Sequence, residues 1–97
     1  MLEKEVEKYL CKKIKEIGGL CEKFTSPANR SVPDRIVTLF GGNVLFVELK
    51  SPTGKVSKAQ QHDHQKRFDL GVNVYVLSSK DEVDQFIDYC KRINTSC

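Results

Sequence analysis

Asp34, Glu48 and Lys50 are the residues whose types and spacing could do chemistry in this chain. Asp34 stands before the apolar run RIVTLF, and Glu48 and Lys50 close the run NVLFVELK, with a Gly-Gly-Asn turn between the two runs. Charged groups with apolar neighbours carry a desolvation cost unless something pairs with them. Side chains alternate faces along a strand, so Val44, Phe46, Glu48 and Lys50 share one face while Leu45, Val47 and Leu49 share the other. If Gly41, Gly42 and Asn43 form a three-residue connection, Phe40 faces Val44, and counting back sets Asp34 opposite Lys50 and diagonal to Glu48. A two-residue turn would shift the register by one and put Asp34 and Glu48 on opposite faces of the sheet.

In the three-residue register, two carboxylates and one ammonium converge at the end of the hairpin. Two carboxylates held close repel unless a cation sits between them. Oxygen ligands from Asp and Glu suit hard divalent ions, Mg²⁺ or Mn²⁺, far better than zinc. An ion held there would polarise a phosphoryl oxygen and help ionise a water, while Lys50 positions that water or offsets charge building on the phosphate. The competing account is an exposed ion pair at a strand end, worth only ~0–1 kcal/mol. Spacing alone leaves both accounts open.

The elements that must position these groups follow from periodicity. Leu2, Val6, Tyr9, Leu10, Lys13, Ile14 and Ile17 recur at helical spacing before Gly18-Gly19, which predicts a first amphipathic helix. LCEKFTS (20–26) alternates apolar and polar residues and reads as a first strand, entering the polar loop PANRSVP. RIVTLF and NVLFVELK are the second and third strands, joined as a hairpin by the glycine turn. SPTGK is a loop, after which Ser57 can cap the helix KAQQHDHQKRFDL, ended by Gly71. VNVYVL reads as a fourth strand. Ser78 or Ser79 then caps a last helix with Val83, Phe86, Ile87, Cys90 and Ile93 on one face. The expected order is α-β-β-β-α-β-α, an α/β fold with a mixed sheet and one domain over residues 1–97.

Composition bounds the function classes. With 39% hydrophobic and 30% charged residues, the chain has enough apolar side chains for a core and is not of disordered composition. Its net charge of +3 allows a polyanionic partner without a histone-like tail. No apolar run reaches the ~20 residues that span a bilayer, and MLEKEVEKYL is too charged for a signal peptide, so a cytoplasmic location is expected. Cys11, Cys21, Cys90 and Cys97 lack CxxC spacing and read as free thiols packed as small hydrophobes, with Cys97 a chain-end residue. His62 and His64 are two apart on a predicted helix, cannot share a face, and read as solvated or DNA-facing. No nucleotide-binding glycine fingerprint, nucleophile elbow or base-reading motif is present. Arg30, Arg35, Lys55 and Lys58 flank the hairpin end, where such cations contact phosphates without reading sequence.

Pro33-Asp34 before a strand, then a hairpin into Glu48-Leu49-Lys50, resembles the PD-(D/E)xK nuclease signature. More narrowly, the chain resembles a stand-alone VRR-NUC domain, the virus-type replication-repair nuclease. The matching pieces are Glu3 in the first helix, Pro33-Asp34, Glu48-Leu49-Lys50-Ser51-Pro52, Gly54-Lys55 and Ser57-Lys58-Ala59-Gln60, in order along nearly the whole chain. The resemblance implies a restriction-endonuclease-like fold. It makes Asp34 and Glu48 metal ligands for Mg²⁺ or Mn²⁺, with the Leu49 carbonyl a third, and Lys50 the catalytic lysine. It places Gln60 in the site from the following helix, where its amide can hold a water or phosphate without adding charge. It calls for a first-helix carboxylate, for which helix geometry prefers Glu3 to Glu5, since Glu3 borders the inward face whereas Glu5 and Glu7 point more to solvent or toward lysines; the competing account of Glu3 is a carboxylate at the positive end of the helix dipole. It further implies a homodimer cutting branched DNA, Holliday junctions included. The alternatives are a sequence-selective or nicking enzyme on the same fold and a non-catalytic nucleic-acid-binding module.

Overall fold

The computed structural model describes residues 2–94, so Cys97 lies outside it. Seven elements follow in the expected order: α1 (Glu3–Glu16), β1 (Leu20–Lys23), β2 (Arg35–Leu39), β3 (Asn43–Leu49), α2 (Lys58–Asp69), β4 (Val74–Leu77) and α3 (Lys80–Asn94). The strands form one mixed sheet in the order β1-β2-β3-β4, antiparallel except for the parallel β3–β4 pair that α2 connects. No helix among the described residues is long and apolar enough to cross a membrane.

β1 and β4 are shorter than expected by two residues or more, each for a local reason. β1 stops at Lys23 because its partner runs out: Phe24 N–H reaches the Asp34 carbonyl at 3.0 Å, and beyond Asp34 stands Pro33, which has no N–H to offer. Phe24 instead turns its ring against Phe46, with centroids 5.8 Å apart. β4 begins at Val74 and not at Val72, because the Val72 N–H is spent on the Arg67 carbonyl at 2.8 Å in ending α2.

Alternation gives the sheet two unlike faces. Val37, Leu39, Val47, Leu49 and Leu77 point to the side covered by α1 and α3, which supply Val6, Leu10 and Ile14 and then Val83, Phe86, Ile87 and Cys90 to one apolar cluster. Tyr9 O–H donates to Asp84 Oδ1 at 2.6 Å and ties the two helices together. Ser79, not Ser78, caps α3: its Oγ accepts from the Glu82 N–H at 3.1 Å. Gly19 lets α1 turn tightly onto β2, since a Cβ there would lie 2.9 Å from both Ile14 and Leu39 side chains. Cys11, Cys21 and Cys90 are free thiols. Burial, then the hydrogen bond with Cys11 Sγ at 3.2 Å, pushes the Cys21 thiol up to about 12.

Candidate active site

The other face of the sheet carries the site, and the hairpin register sets it. The connection is Phe40-Gly41-Gly42, with Asn43 already in the strand and paired to Leu39. Gly41 and Gly42 take φ of 86° and 80°, left-handed conformations that glycine accepts without a steric cost. The expected loop length is kept but the loop sits one residue earlier, which corrects the register by two. Extending the pairing one step beyond Arg35–Val47 sets Asp34 directly across from Glu48, and Lys50 becomes the diagonal neighbour. Parity is unchanged, so both carboxylates still share a face.

Glu48 is only 1% exposed, which removes the account of an exposed strand-end ion pair. Its Oε2 accepts from Gln60 Nε2 at 3.2 Å and lies 3.9 Å from Lys50 Nζ. Its Oε1 faces His64 Nε2 at 3.6 Å, beyond hydrogen-bond reach, and both of these buried atoms are without a hydrogen-bond partner. Burial, then the hydrogen bonding and charge of Asp34, raise the Glu48 carboxyl to about 8; Lys50 opposes the rise and Glu3 adds to it. Without a cation the side chain therefore holds its proton at neutral pH. Asp34 is fixed by its Oδ2, which accepts the Leu49 N–H at 2.7 Å.

The face of α2 turned to the sheet is polar throughout. Gln60, Asp63, His64 and Arg67 recur at three- and four-residue spacing and make one stripe. Gln60 closes a capping box, its Oε1 accepting from Ser57 N–H at 2.9 Å and Ser57 Oγ accepting from Gln60 N–H at 3.1 Å, so its amide is oriented from both ends. Asp63, 3% exposed, accepts from Asn29 Nδ2 at 2.9 Å and from Arg67 Nε at 2.8 Å. Burial alone would raise its carboxyl, but the hydrogen bonds from Arg67 and Asn29 outweigh burial and hold it below the usual range. Arg67 then lies over the rings of Phe24 and Phe46, 5.3 and 5.4 Å from their centroids. Asp63 thus ties the loop that leads into Asp34 to the helix that faces Glu48.

Several expected placements change. His64 is not solvated: it is half-buried against Glu48, and burial keeps it below the usual histidine range, hence neutral at pH 7. His62 is exposed. Arg35 does not flank the site. It alternates with Asp34 onto the α1 face, where its Nε donates to Glu7 Oε2 at 2.8 Å and an Nη to the Cys21 carbonyl at 3.1 Å. Glu7 accordingly meets this arginine and not a lysine, and stays partly exposed. Arg30, Lys55 and Lys58 are exposed, Arg30 in a cleft that also includes Ser26, Asn29 and Asp34. Glu3 is exposed on the first turn of α1, within electrostatic reach of Glu48.

Among the described residues no group of three or more His, Cys, Asp or Glu side chains gathers closely enough to hold a metal ion by side chains alone. The donor set at the hairpin end is two carboxylates with adjacent backbone. That set fits an ion such as Mg²⁺, which keeps several waters and takes one or two carboxylates from the protein. The close like-charged pair is what such a cation would relieve.

The chain is 44% identical over 79 residues to "Putative nuclease p44" of Acyrthosiphon pisum secondary endosymbiont phage 1, an alignment covering 81% of this chain and 85% of that protein. Its structure is similar to a solved VRR_NUC domain with a TM-score of 0.83 at 32% identity, over 90% of this chain and 95% of the other. No family model matches the chain. Fold and relatives together define a nuclease. Within that class, the chain belongs to the VRR-NUC family of the PD-(D/E)xK superfamily.

Proposed function

We propose that the chain is a single-domain, Mg²⁺- or Mn²⁺-dependent endodeoxyribonuclease that hydrolyses phosphodiester bonds in branched DNA, Holliday junctions included, as a homodimer in the cytoplasm of a bacterial or phage-infected cell. The observation that carries this reading is the burial of Glu48 across from Asp34. A fold gains no stability from holding two like charges together out of water, so the arrangement points to a site.

Asp34, Glu48 and the Leu49 carbonyl would hold the ion, which when bound polarises the phosphoryl group and lowers the pKa of a water. Lys50, its side chain 17% exposed beside Glu48, reaches outward to hold the attacking water or a non-bridging oxygen of the scissile phosphate. Gln60 brings a neutral amide to the same place, and Glu3 closes the edge from α1. Arg30, Lys55 and Lys58 receive flanking phosphates and fix the backbone without reading bases. A two-fold dimer would present two such sites to symmetry-related strands of a four-way junction, which favours branched DNA as substrate.

The test is incubation with linear, flapped and four-way DNA in Mg²⁺ and Mn²⁺ over a salt series, because phosphate-driven binding weakens with salt. Cleavage should require the ion and favour the junction. Lys50→Ala should lower the rate by roughly 10²–10³-fold while junction binding in Ca²⁺ persists. Metal-independent cutting, or a Lys50→Ala protein as active as the wild type, would defeat the proposal.

A further inference from the structure

We infer that His64 is a positioning residue for the site proposed above: its Nε2–H donates to Oε1 of Glu48 and leaves Oε2 as the oxygen turned to the divalent ion. The inference rests on that metal-dependent reading. Three observations converge on it. Oε1 and His64 Nε2 are both buried, both lack any hydrogen-bond partner, and face each other at 3.6 Å, so a small side-chain rotation closes the gap. Once an ion has displaced the Glu48 proton, two bare acceptors would repel in that position, which assigns the single proton of the neutral imidazole to Nε2. Finally, Gln60 and His64 lie one helical turn apart on α2 and address different oxygens of one carboxylate, Gln60 reaching Oε2 at 3.2 Å.

The division of oxygens has a physical purpose. Oε1 is sealed under α2, whereas Oε2 is the oxygen beside Lys50, the half-buried lysine at the strand end. A carboxylate free to rotate would present either oxygen. A donor fixed behind Oε1 holds the plane of the group, so that one oxygen is aimed outward before any ion arrives. The sequence marks this only as a histidine four residues after Gln60.

The experiment measures Mg²⁺ and Mn²⁺ binding by calorimetry for the wild type, His64→Gln and His64→Leu, with circular dichroism confirming the fold and pulsed EPR of bound Mn²⁺ reporting any directly ligated nitrogen. His64→Leu should weaken both ions alike, by about 10–100-fold, while His64→Gln, which keeps a donor, should stay within about threefold of the wild type. The wild-type spectrum should show no ligating ¹⁴N. A folded His64→Leu protein with wild-type affinity, or a His64→Gln protein as weak as His64→Leu, would overturn the inference. So would a ¹⁴N coupling that His64→Leu abolishes, since it would make the imidazole a ligand. Should His64→Leu fail to fold, His64→Ala, which also lacks a donor, takes its place with the same expected and overturning results. A wild type that binds neither ion sinks the metal-dependent reading itself, whereas binding without the expected His64 effects sinks only the positioning role.

Discussion

Replacing Glu48 by glutamine in the cation-free protein removes the carboxylate of the site that folding buries almost completely. Folding raises its proton affinity from the ordinary 4.5 to about 8, through burial first and the neighbouring Asp34 next. At about 1.4 kcal/mol for each tenfold change in proton affinity, the rise corresponds to roughly 5 kcal/mol; sharing of the proton with Asp34 lowers the expected effect to about 2–5 kcal/mol. Because the folded pKa lies above the unfolded one, the folded state holds more protons between about pH 4.5 and about pH 8, and stability falls as pH rises through that window. The contribution is fully present below the window and gone above it. Glu48→Gln has no proton to lose there, and its carboxamide accepts from Gln60 and donates to His64 once the imidazole takes its other tautomer. Urea unfolding in EDTA at about pH 5 and about pH 8 should therefore show a declining wild type and a flatter variant, the variant more stable by about 2–5 kcal/mol at the upper pH. Added Mg²⁺ or Mn²⁺ should restore stability to the wild type and leave the variant, which would also be inactive, little changed. Parallel stability curves for the two proteins would refute the account of Glu48 as a charge held out of water for function.

Asp63→Ala should cost about 2–4 kcal/mol in urea unfolding, because it strands the Arg67 guanidinium and the Asn29 amide in a part-buried place; it should also slow cleavage by loosening the loop before Asp34. Since the Asp63 carboxyl is held below its ordinary range, its contribution is present above about pH 4 and lost as pH falls through the folded pKa, so Asp63→Asn should weaken the acid dependence of stability. A variant as stable as the wild type would show that the network is ornamental. Gly19→Ala should lower stability by about 1–3 kcal/mol, since the new Cβ meets Ile14 and Leu39 at 2.9 Å and the Thr38 carbonyl at 3.1 Å, with little effect on cleavage per folded molecule. An unchanged melting temperature would mean that α1 and β2 separate freely.

Much of this arrangement was legible in the residues, and the failures have specific causes. Apolar periodicity located α1 and α3 because their inward faces are apolar, and it located the hairpin because alternation and a double glycine coincide there. The hairpin register was misplaced by two because a glycine-rich connection admits more than one three-residue choice. Only pairing of Leu39 with Asn43 settles it. Arg35 was misassigned although alternation itself forbids it: a residue next to Asp34 on a strand points to the other face. His64 and Asp63 were missed for a deeper reason. An inward helix face is marked in sequence by apolar residues, whereas α2 turns Gln60, Asp63, His64 and Arg67 inward, so its pattern is that of a solvated helix. The signal was present as a polar stripe at helical spacing beginning with the very glutamine that the family motif marks.

That stripe also explains how a small domain can afford its site. The α1–α3 side of the sheet holds the apolar cluster, and its contacts do not depend on any group in the site. The α2 side is held by polar contacts whose partners are the site and the loop feeding it: Gln60 and His64 on Glu48, Asp63 on Asn29, Arg67 over Phe24 and Phe46. Meanwhile Phe68, at the C-terminal end of α2, remains 59% exposed, and so the helix contributes little apolar burial of its own. Docking of α2 and assembly of the site are therefore the same set of interactions. Anything that neutralises the Asp34–Glu48 pair from outside must strengthen both together, while the opposite face keeps the fold intact.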